Sequence, residues 1–404
     1  MKIALFTDTY APQANGVAVS VHTLRGGLLA RGHEVTVFAT THPDAPEDDD
    51  VVRLPSLAIK RIPTHRFATP IDLSVEQRIR GAGFDLIHTH TEFSVGQFGF
   101  RAAAQLKIPH VHTYHTIYED YTWYVTHGHA EKQARKLVTL ASKYICGRCD
   151  CIVAPSDKTL TMLRDYGVSA PIHVVPTGID SARFSRTCAG GQALATLRRT
   201  LGIAPQAKVV LALCRIAYEK NVVKLLDGMA DYFTVTDAAL DGRRRDVVFL
   251  VVGDGPALAD LRRQAVQRGV ADRVIFAGEV PWEDVPQYYQ TSDVFVSMSE
   301  SETQGLTYIE SLAAGCPVLA RYNECFDGIL ADGVSASLFK GAEEFPARLD
   351  ELLFTDRRES YLEQGRAAVR ALSVETFARR IEDIYAEACA SYVPRPSTLR
   401  RVFL

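Results

Sequence analysis

Short apolar runs that do not alternate recur along these 404 residues, most of them separated by an amphipathic stretch of helical period. They are Ile3–Thr7, Glu34–Thr40, Asp85–Thr89, Pro109–Tyr114, Cys151–Pro155 and Ile172–Pro176, then Lys208–Cys214, Val247–Gly253, Val274–Gly278, Val294–Ser297, Pro317–Ala320 and Ser335–Phe339. A strand apolar at successive residues is covered on both faces. Strands that take turns with helices build parallel sheets through right-handed crossovers. Val17–Arg31, stopped by Gly32, is the first such helix. The rhythm breaks at Ser185–Gln206, which holds Gly190-Gly191 and follows Pro176-Thr177-Gly178-Ile179-Asp180. The expectation is an α/β chain of two domains, residues 1–185 and 186–374. Val374–Ser391 is helical by period with no strand after it, and such a helix (about 375–404) can pack back on the first domain.

Composition narrows the class. With 47% apolar and 23% charged residues the chain has a core to bury, which excludes a disordered or disulfide-scaffold protein. It contains no run of 18 apolar residues, and Met1–Asp8 turns polar too soon for a secretory signal. A cytoplasmic location with eight reduced cysteines is expected. A net charge of −3 gives no case for nucleic acid. The charge is uneven, however: residues 51–150 carry 13 basic against 8 acidic side chains, and all twelve histidines lie at or before His173. The acidic run Glu47-Asp48-Asp49-Asp50 reads as a solvated loop.

Four stretches carry candidate chemistry. Ser299-Glu300-Ser301-Glu302-Thr303-Gln304-Gly305-Leu306 follows a strand, where α/β sheets bind ligands. A helix starting near Gly305 offers free N–H groups that suit phosphate. Glu310, about a turn and a half into it, and Glu302 suit neutral hydroxyls, since a carboxylate accepts paired bonds from a vicinal diol. Arg215 and Lys220, after the first strand of the second domain, can neutralise a departing diphosphate. Asp8–Ser20 carries one useful glycine, Gly16, and lacks the G-x-G-x-x-G fingerprint of nicotinamide enzymes. His88-Thr89-His90 and His110–Thr116 sit near strand ends without a zinc spacing around them. His115, past its strand, is the ligand-facing candidate, and His112 reads as a core histidine. Cys146-Gly147-Arg148-Cys149 has no second pair to make a metal site.

Taken together, Asn15-Gly16, Arg215 with Glu219-Lys220-Asn221, the Glu302/Glu310 pair and Ala314-Gly315-Cys316-Pro317-Val318 resemble the family-four retaining glycosyltransferases of GT-B fold. Within that family, Phe6–Tyr10, His88–Phe93, Thr113–Tyr121 and Glu302–Thr307 are similar to bacterial diacylglycerol glucosyltransferases. Thr303-Gln304-Gly305 departs from the Gly-Phe-Gly common elsewhere. The resemblance implies two Rossmann-like domains whose sheets face a cleft, the first for the acceptor and the second for a nucleotide sugar. It implies transfer of glucose from UDP-glucose to the 3-hydroxyl of diacylglycerol. It assigns catalytic roles to His115, Arg215, Lys220 and Glu302. It assigns donor binding to Gly16, Arg215, Lys220, Gly278, Val280, Glu302, Gln304, Gly305, Leu306 and Glu310. No cofactor and no metal are implied. The same donor motifs serve three alternatives: another lipid or polysaccharide acceptor, a silent sugar-nucleotide-binding protein, or a GT-B epimerase.

A helix through Glu131–Cys146 puts Lys132, Arg135, Lys136 and Lys143 on one face, with Leu137, Ala141, Tyr144 and Ile145 opposite. The expectation is an apolar side in the core and a basic side, with Lys60, Arg61 and Arg66, left for an anionic membrane. Each such charge contributes about 1 kcal/mol near an anionic leaflet. The place implied is peripheral, on the cytoplasmic face of the plasma membrane.

Overall fold

The structure, a computed structural model, describes residues 1–13, 15–59, 62–68, 73–122, 126, 130–185, 190–234 and 243–394. It divides into two compact units: Met1–Gly178 with the chain from Val374 on, and Ile179–Ser373.

The first unit contains β1 (Lys2–Phe6), β2 (Glu34–Thr40), β3 (Val51–Leu54), β4 (Ser56–Ile59), β5 (Ile62–Ala68), β6 (Leu86–Thr89), β7 (His110–Thr113), β8 (Cys151–Ala154) and β9 (Ile172–Val174). Seven of them form a parallel sheet in the order β3-β2-β1-β6-β7-β8-β9. Alternate residues of β1 serve its two faces. Ile3 and Leu5 join Val21, Leu24 and Leu28 on one side. Ala4 and Phe6 join Phe38, Val95 and Phe98 on the other. Both faces are therefore dry, as the unbroken apolar runs require. β4 and β5 form a separate antiparallel pair. The apolar-run criterion does not find β3, β4 or β5. β3 is a four-residue edge strand that alternates in burial, and the pair β4–β5 leaves Leu57 and Phe67 exposed.

The second unit contains β10 (Lys208–Leu213), β11 (Val247–Val252), β12 (Val274–Gly278), β13 (Val294–Ser297), β14 (Val318–Arg321) and β15 (Ser337–Phe339). Its sheet is parallel throughout, in the doubly-wound order β12-β11-β10-β13-β14-β15. Val210 and Ala212 pack on one face, and Val209 and Leu211 on the other.

Ile179–Ser185, expected in the first domain, belongs to the second unit. Phe184 is buried against Tyr289, the Gln290 amide donates to the Phe184 and Ser185 carbonyls at 3.0 Å, and Ile179 N–H donates to Leu372 O at 2.7 Å. The stretch expected to join the domains also contains a helix, Gly191–Thr200.

The helix Val374–Ser391 packs on the helix Gly16–Ala30 within the first unit. Gly27 permits the approach, because a Cβ there would stand 2.7 Å from Ala378 Cβ. Phe377, Ile381, Ile384 and Tyr385 complete the core under β1 and β2. Ile381 is fully buried. Ile381→Ala is expected to destabilise the first unit by about 2–5 kcal/mol, read as a lower urea midpoint for that unit's unfolding transition. An unchanged midpoint would mean the helix is dispensable to that core.

Candidate active site

The strand order of the second unit reverses between β10 and β13, the place where doubly-wound sheets leave a crevice at the strands' carboxyl ends. Leu213, Cys214, Lys220, Ser297, Glu302 and Thr307 line a small pocket there. The chain leaving β10 makes a single 3-10 turn, Tyr218–Lys220, then places Asn221 in the left-handed region at φ 51°. The Asn221 amide donates to Met298 O at 3.0 Å, which ties this loop to the one leaving β13. Lys220 Nζ consequently lies 2.8 Å from Glu302 Oε1 and 3.2 Å from Ser301 O. Arg215 is held by Glu219, whose side chain is 4% exposed against 40% for the guanidinium. The loop leaving β11 lies against the loop leaving β10. Gly253, at φ 128°, has its Cβ position 2.0 Å from Cys214 O, so only glycine fits. That contact gives the Gly253-Asp254-Gly255 turn a structural reason.

Gly305 precedes the helix Leu306–Ala313 at φ 77°. A Cβ there would meet the Tyr308 ring at 2.5 Å, so both conformation and space demand glycine. No side chain caps the helix, so its first N–H groups lack a side-chain acceptor, although Tyr308 N–H donates to Gly305 O at 3.2 Å. Gln304 is buried and Leu306 half-buried beside them. Glu310, on the same helix, is 8% exposed and accepts a hydrogen bond from Tyr289 Oη at 3.1 Å. Burial raises its pKa to about 6, against the opposing pull of that bond and of the Arg183 charge. At the end of β12, Gly278 takes φ 79°, and Val280 is half-buried against the second core. Lys220, Glu302 and Gly305 thus gather at the switch point, Arg215 is on the loop that brings Lys220, and Glu310 sits a helical turn deeper.

In the first unit Asn15 caps the helix Gly16–Ala30, accepting from Ala18 N at 3.0 Å and donating to Thr9 Oγ1 at 2.6 Å. Gly16 is exposed at the first position of that helix. The histidines are not loose ligands. His112, read as a core histidine, is fully buried with Nδ1 2.8 Å from Thr89 Oγ1 and Nε2 3.2 Å from Glu92 Oε1. His115 Nε2 lies 3.1 Å from Nδ1 of the buried His90. Desolvation, with the nearby His112, drives the His115 pKa down to about 3. His115 is therefore neutral across the physiological range.

The helix Glu131–Cys146 differs from its sequence reading. Leu137, Leu140 and Tyr144 are 68%, 55% and 52% exposed, whereas Ser142 and Cys146 are the buried positions. Of the apolar side expected in the core, Leu137, Ala141 and Tyr144 therefore face out, beside Lys132, Lys136 and Lys143, all exposed, and Ile145 is half-buried against the core. A wheel built on residue type assigns apolar residues to the core by default, and this helix buries its small residues instead. Arg135 pairs with Glu131 at 3.2 Å and Glu119 at 3.9 Å. Arg66 is tied to Ser56 through its backbone carbonyl at 2.7 Å. Lys60 and Arg61 fall outside the described residues. Among the described residues no helix is long and apolar enough to cross a membrane. Sequence reasoning also missed Arg183, whose signal lies in the tertiary placement of its short helix, Ser181–Phe184, near Glu310.

Residues 14–183 match the family described as Glycosyltransferase Family 4, and residues 195–368 match Glycosyl transferases group 1. The chain is 37% identical over 395 residues to the alpha-monoglucosyldiacylglycerol synthase of Streptococcus pneumoniae, covering 97% of this chain and 87% of that one. It is 30% identical to the enzyme of the same name from Acholeplasma laidlawii, covering 95% and 96%. Among solved structures, sucrose-phosphate synthase from Thermosynechococcus elongatus superposes with a TM-score of 0.74 at 22% identity, over 96% of this chain and 99% of that one. WaaG, a glycosyltransferase of lipopolysaccharide biosynthesis, gives 0.67 at 17%, over 95% and 99%. The fold is GT-B.

The Glu310 carboxyl supplies a pH test. Its folded-state pKa lies above the ordinary value, so stability is fullest below that value and is lost as pH rises through about 6. Glu310→Gln removes the ionisation. The stability advantage of the variant over wild type should grow by about 2 kcal/mol between acid pH and pH 8, measured by urea unfolding. A gap that does not change with pH would contradict a buried ionising carboxyl.

Proposed function

The chain belongs to glycosyltransferase family 4, and from that premise we propose that it moves glucose from UDP-glucose to the 3-hydroxyl of 1,2-diacylglycerol, keeping the α configuration. The single observation that carries the reading is the meeting of Lys220 and Glu302 at the strand-order reversal of the second unit. A cation and an acceptor-only carboxylate side by side suit a ligand that is charged at one end and rich in hydroxyls at the other.

Hexose transfer passes through an oxocarbenium-like state, and its barrier falls when the leaving diphosphate is stabilised as its charge grows. Arg215, Lys220 and the uncapped first turn at Gly305 supply that potential. Glu302 accepts from the sugar's outer hydroxyls. Glu310 accepts from the ribose diol, a role that needs its ionised form and hence pH above about 6. Gly278 and Val280 place backbone beside the base. Gly16 lets backbone approach the diphosphate, and Gln304 and Leu306 shape the helix start. The resemblance gives His115 the transferred sugar as its partner. A neutral imidazole there offers hydrogen bonds without placing a second charge beside the reacting carbon. Retention follows when the acceptor hydroxyl attacks from the leaving-group side and a diphosphate oxygen takes its proton. No step asks for a metal.

The exposed side of the helix Glu131–Cys146 supports work at an anionic membrane, where the diacylglycerol lies. Leu137, Leu140 and Tyr144 stand out of the first unit beside Lys132, Lys136 and Lys143, the pattern of a helix that lies in a lipid interface. Arg135 adds less, its charge being offset by Glu131 and Glu119. The place proposed is peripheral, on the cytoplasmic leaflet.

Two measurements test the reading. Arg215→Ala and Lys220→Ala are each expected to lower kcat for labelled UDP-glucose and diacylglycerol by roughly 100-fold or more, with the product identified as an α-glucosyl lipid. Full activity in either variant would remove the cation from the mechanism, and product only with another acceptor would move the substrate. Lys136→Glu with Lys143→Glu should cut binding to phosphatidylglycerol vesicles by roughly tenfold or more, while wild-type binding weakens with salt. Sedimentation indifferent to salt and to anionic lipid would overturn the docking.

A further inference from the structure

We propose that His90 is the positioning residue for His115, fixing which of its ring nitrogens carries the proton. The proposal rests on the reading that His115 touches the transferred sugar.

His90 is 1% exposed, and its ring meets that of His115 edge to edge, 5.4 Å between centroids and 25° between planes. His90 Nδ1 and His115 Nε2 are 3.1 Å apart, so one of these nitrogens donates to the other. The two arrangements are not equal. Among the described residues, His90 Nε2 is buried with no hydrogen-bond partner. If His115 donated, the single proton of a neutral His90 would sit on that Nε2, an N–H buried with no acceptor. If His90 donates from Nδ1, only a lone pair is left unused at Nε2. Buried donors without partners are the rarer and costlier defect. The geometry therefore assigns Nδ1–H to His90, the acceptor role to His115 Nε2, and the His115 proton to its own Nδ1.

The remaining alternative, an imidazolium, is suppressed by burial. Desolvation holds His90 well below its ordinary pKa and His115 down to about 3, and their histidine neighbours push the same way. His90 is itself braced. Its ring lies 4.1 Å from that of His88, and both His88 nitrogens are engaged at 2.7 Å, by Tyr385 Oη and Thr113 Oγ1. A line of fixed rings thus runs from the C-terminal helix to His115, and its outcome is a neutral imidazole with a proton at Nδ1 to offer a sugar oxygen. Burial alone leaves the choice of tautomer open; the His90 contact settles it.

The test combines spectroscopy with kinetics. Long-range 1H–15N correlation of histidine-labelled full-length protein at neutral pH should show His115 neutral with its proton on Nδ1. His90→Phe should shift it toward a mixture. The same variant should lose roughly tenfold to hundredfold in kcat with donor KM changed less than about twofold. His90→Asn, whose amide can occupy the place of Nδ1, should restore most of the rate. His115→Ala is the control: if it retains wild-type activity, the sugar-contact reading fails, whatever the spectrum shows. A wild-type His115 protonated at Nε2 or charged overturns the positioning proposal, even if His90→Phe does not fold. So does an unchanged kcat in His90→Phe while His115→Ala is inactive.

Discussion

Lys220 and Glu302 lie 2.8 Å apart at the one position of the second sheet where the strand order reverses, so that the connections from neighbouring parallel strands run to opposite sides. Much of that unit serves to keep them there. Asn221 spends a left-handed conformation and its side-chain amide on joining the β10 and β13 loops. Gly253 gives up a side chain so that the β11 loop can lie against Cys214. Asn323 reaches from the β14 loop to Glu300 O at 2.8 Å. Four loops from four strands are thus cross-tied around two side chains, and the apolar sheet behind them supplies the rigidity.

The first unit solves a different problem. It buries four histidines, His88, His90, His110 and His112, with His115 half-buried beside them, near the ends of β6 and β7, where an imidazole taken out of water needs hydrogen-bond partners. Thr89, Thr113, Glu92 and Tyr385 meet much of that need, and His90 and His115 bond to each other. A group that stays uncharged and fixed suits a reaction in which positive charge develops on the sugar and negative charge on the phosphate, because it adds no field of its own to oppose either.

Much of this was legible in the residues. The unbroken apolar runs announce strands covered on both sides, and the two parallel sheets follow. Glu302, Lys220 and Gly305 could be placed at strand ends because a strand's end is a local property. What failed to show depends on neighbours distant in sequence. The strands Val51–Leu54, Ser56–Ile59 and Ile62–Ala68 carry the mixed pattern of edges. The unit boundary falls at Gly178 because Phe184 finds its core beside Tyr289, about a hundred residues on. The outward turn of Leu137, Leu140 and Tyr144 is set by what packs under Ser142 and Cys146. Nothing in the heptad-scale pattern tells a buried apolar face from an exposed one.

The return of Val374–Ser391 to the first unit has a bearing on how the chain is made. The second unit is one unbroken stretch of sequence and can condense as it leaves the ribosome. The first, although begun earlier, lacks Phe377, Ile381 and Tyr385 until the chain beyond the second unit has been made. His88 receives its Tyr385 partner only then. A nascent or prematurely ended chain therefore has its second lobe assembled while the histidine lobe is still short of apolar cover and of a bonding partner. Synthesis past Tyr385 is a condition for the histidine array to set.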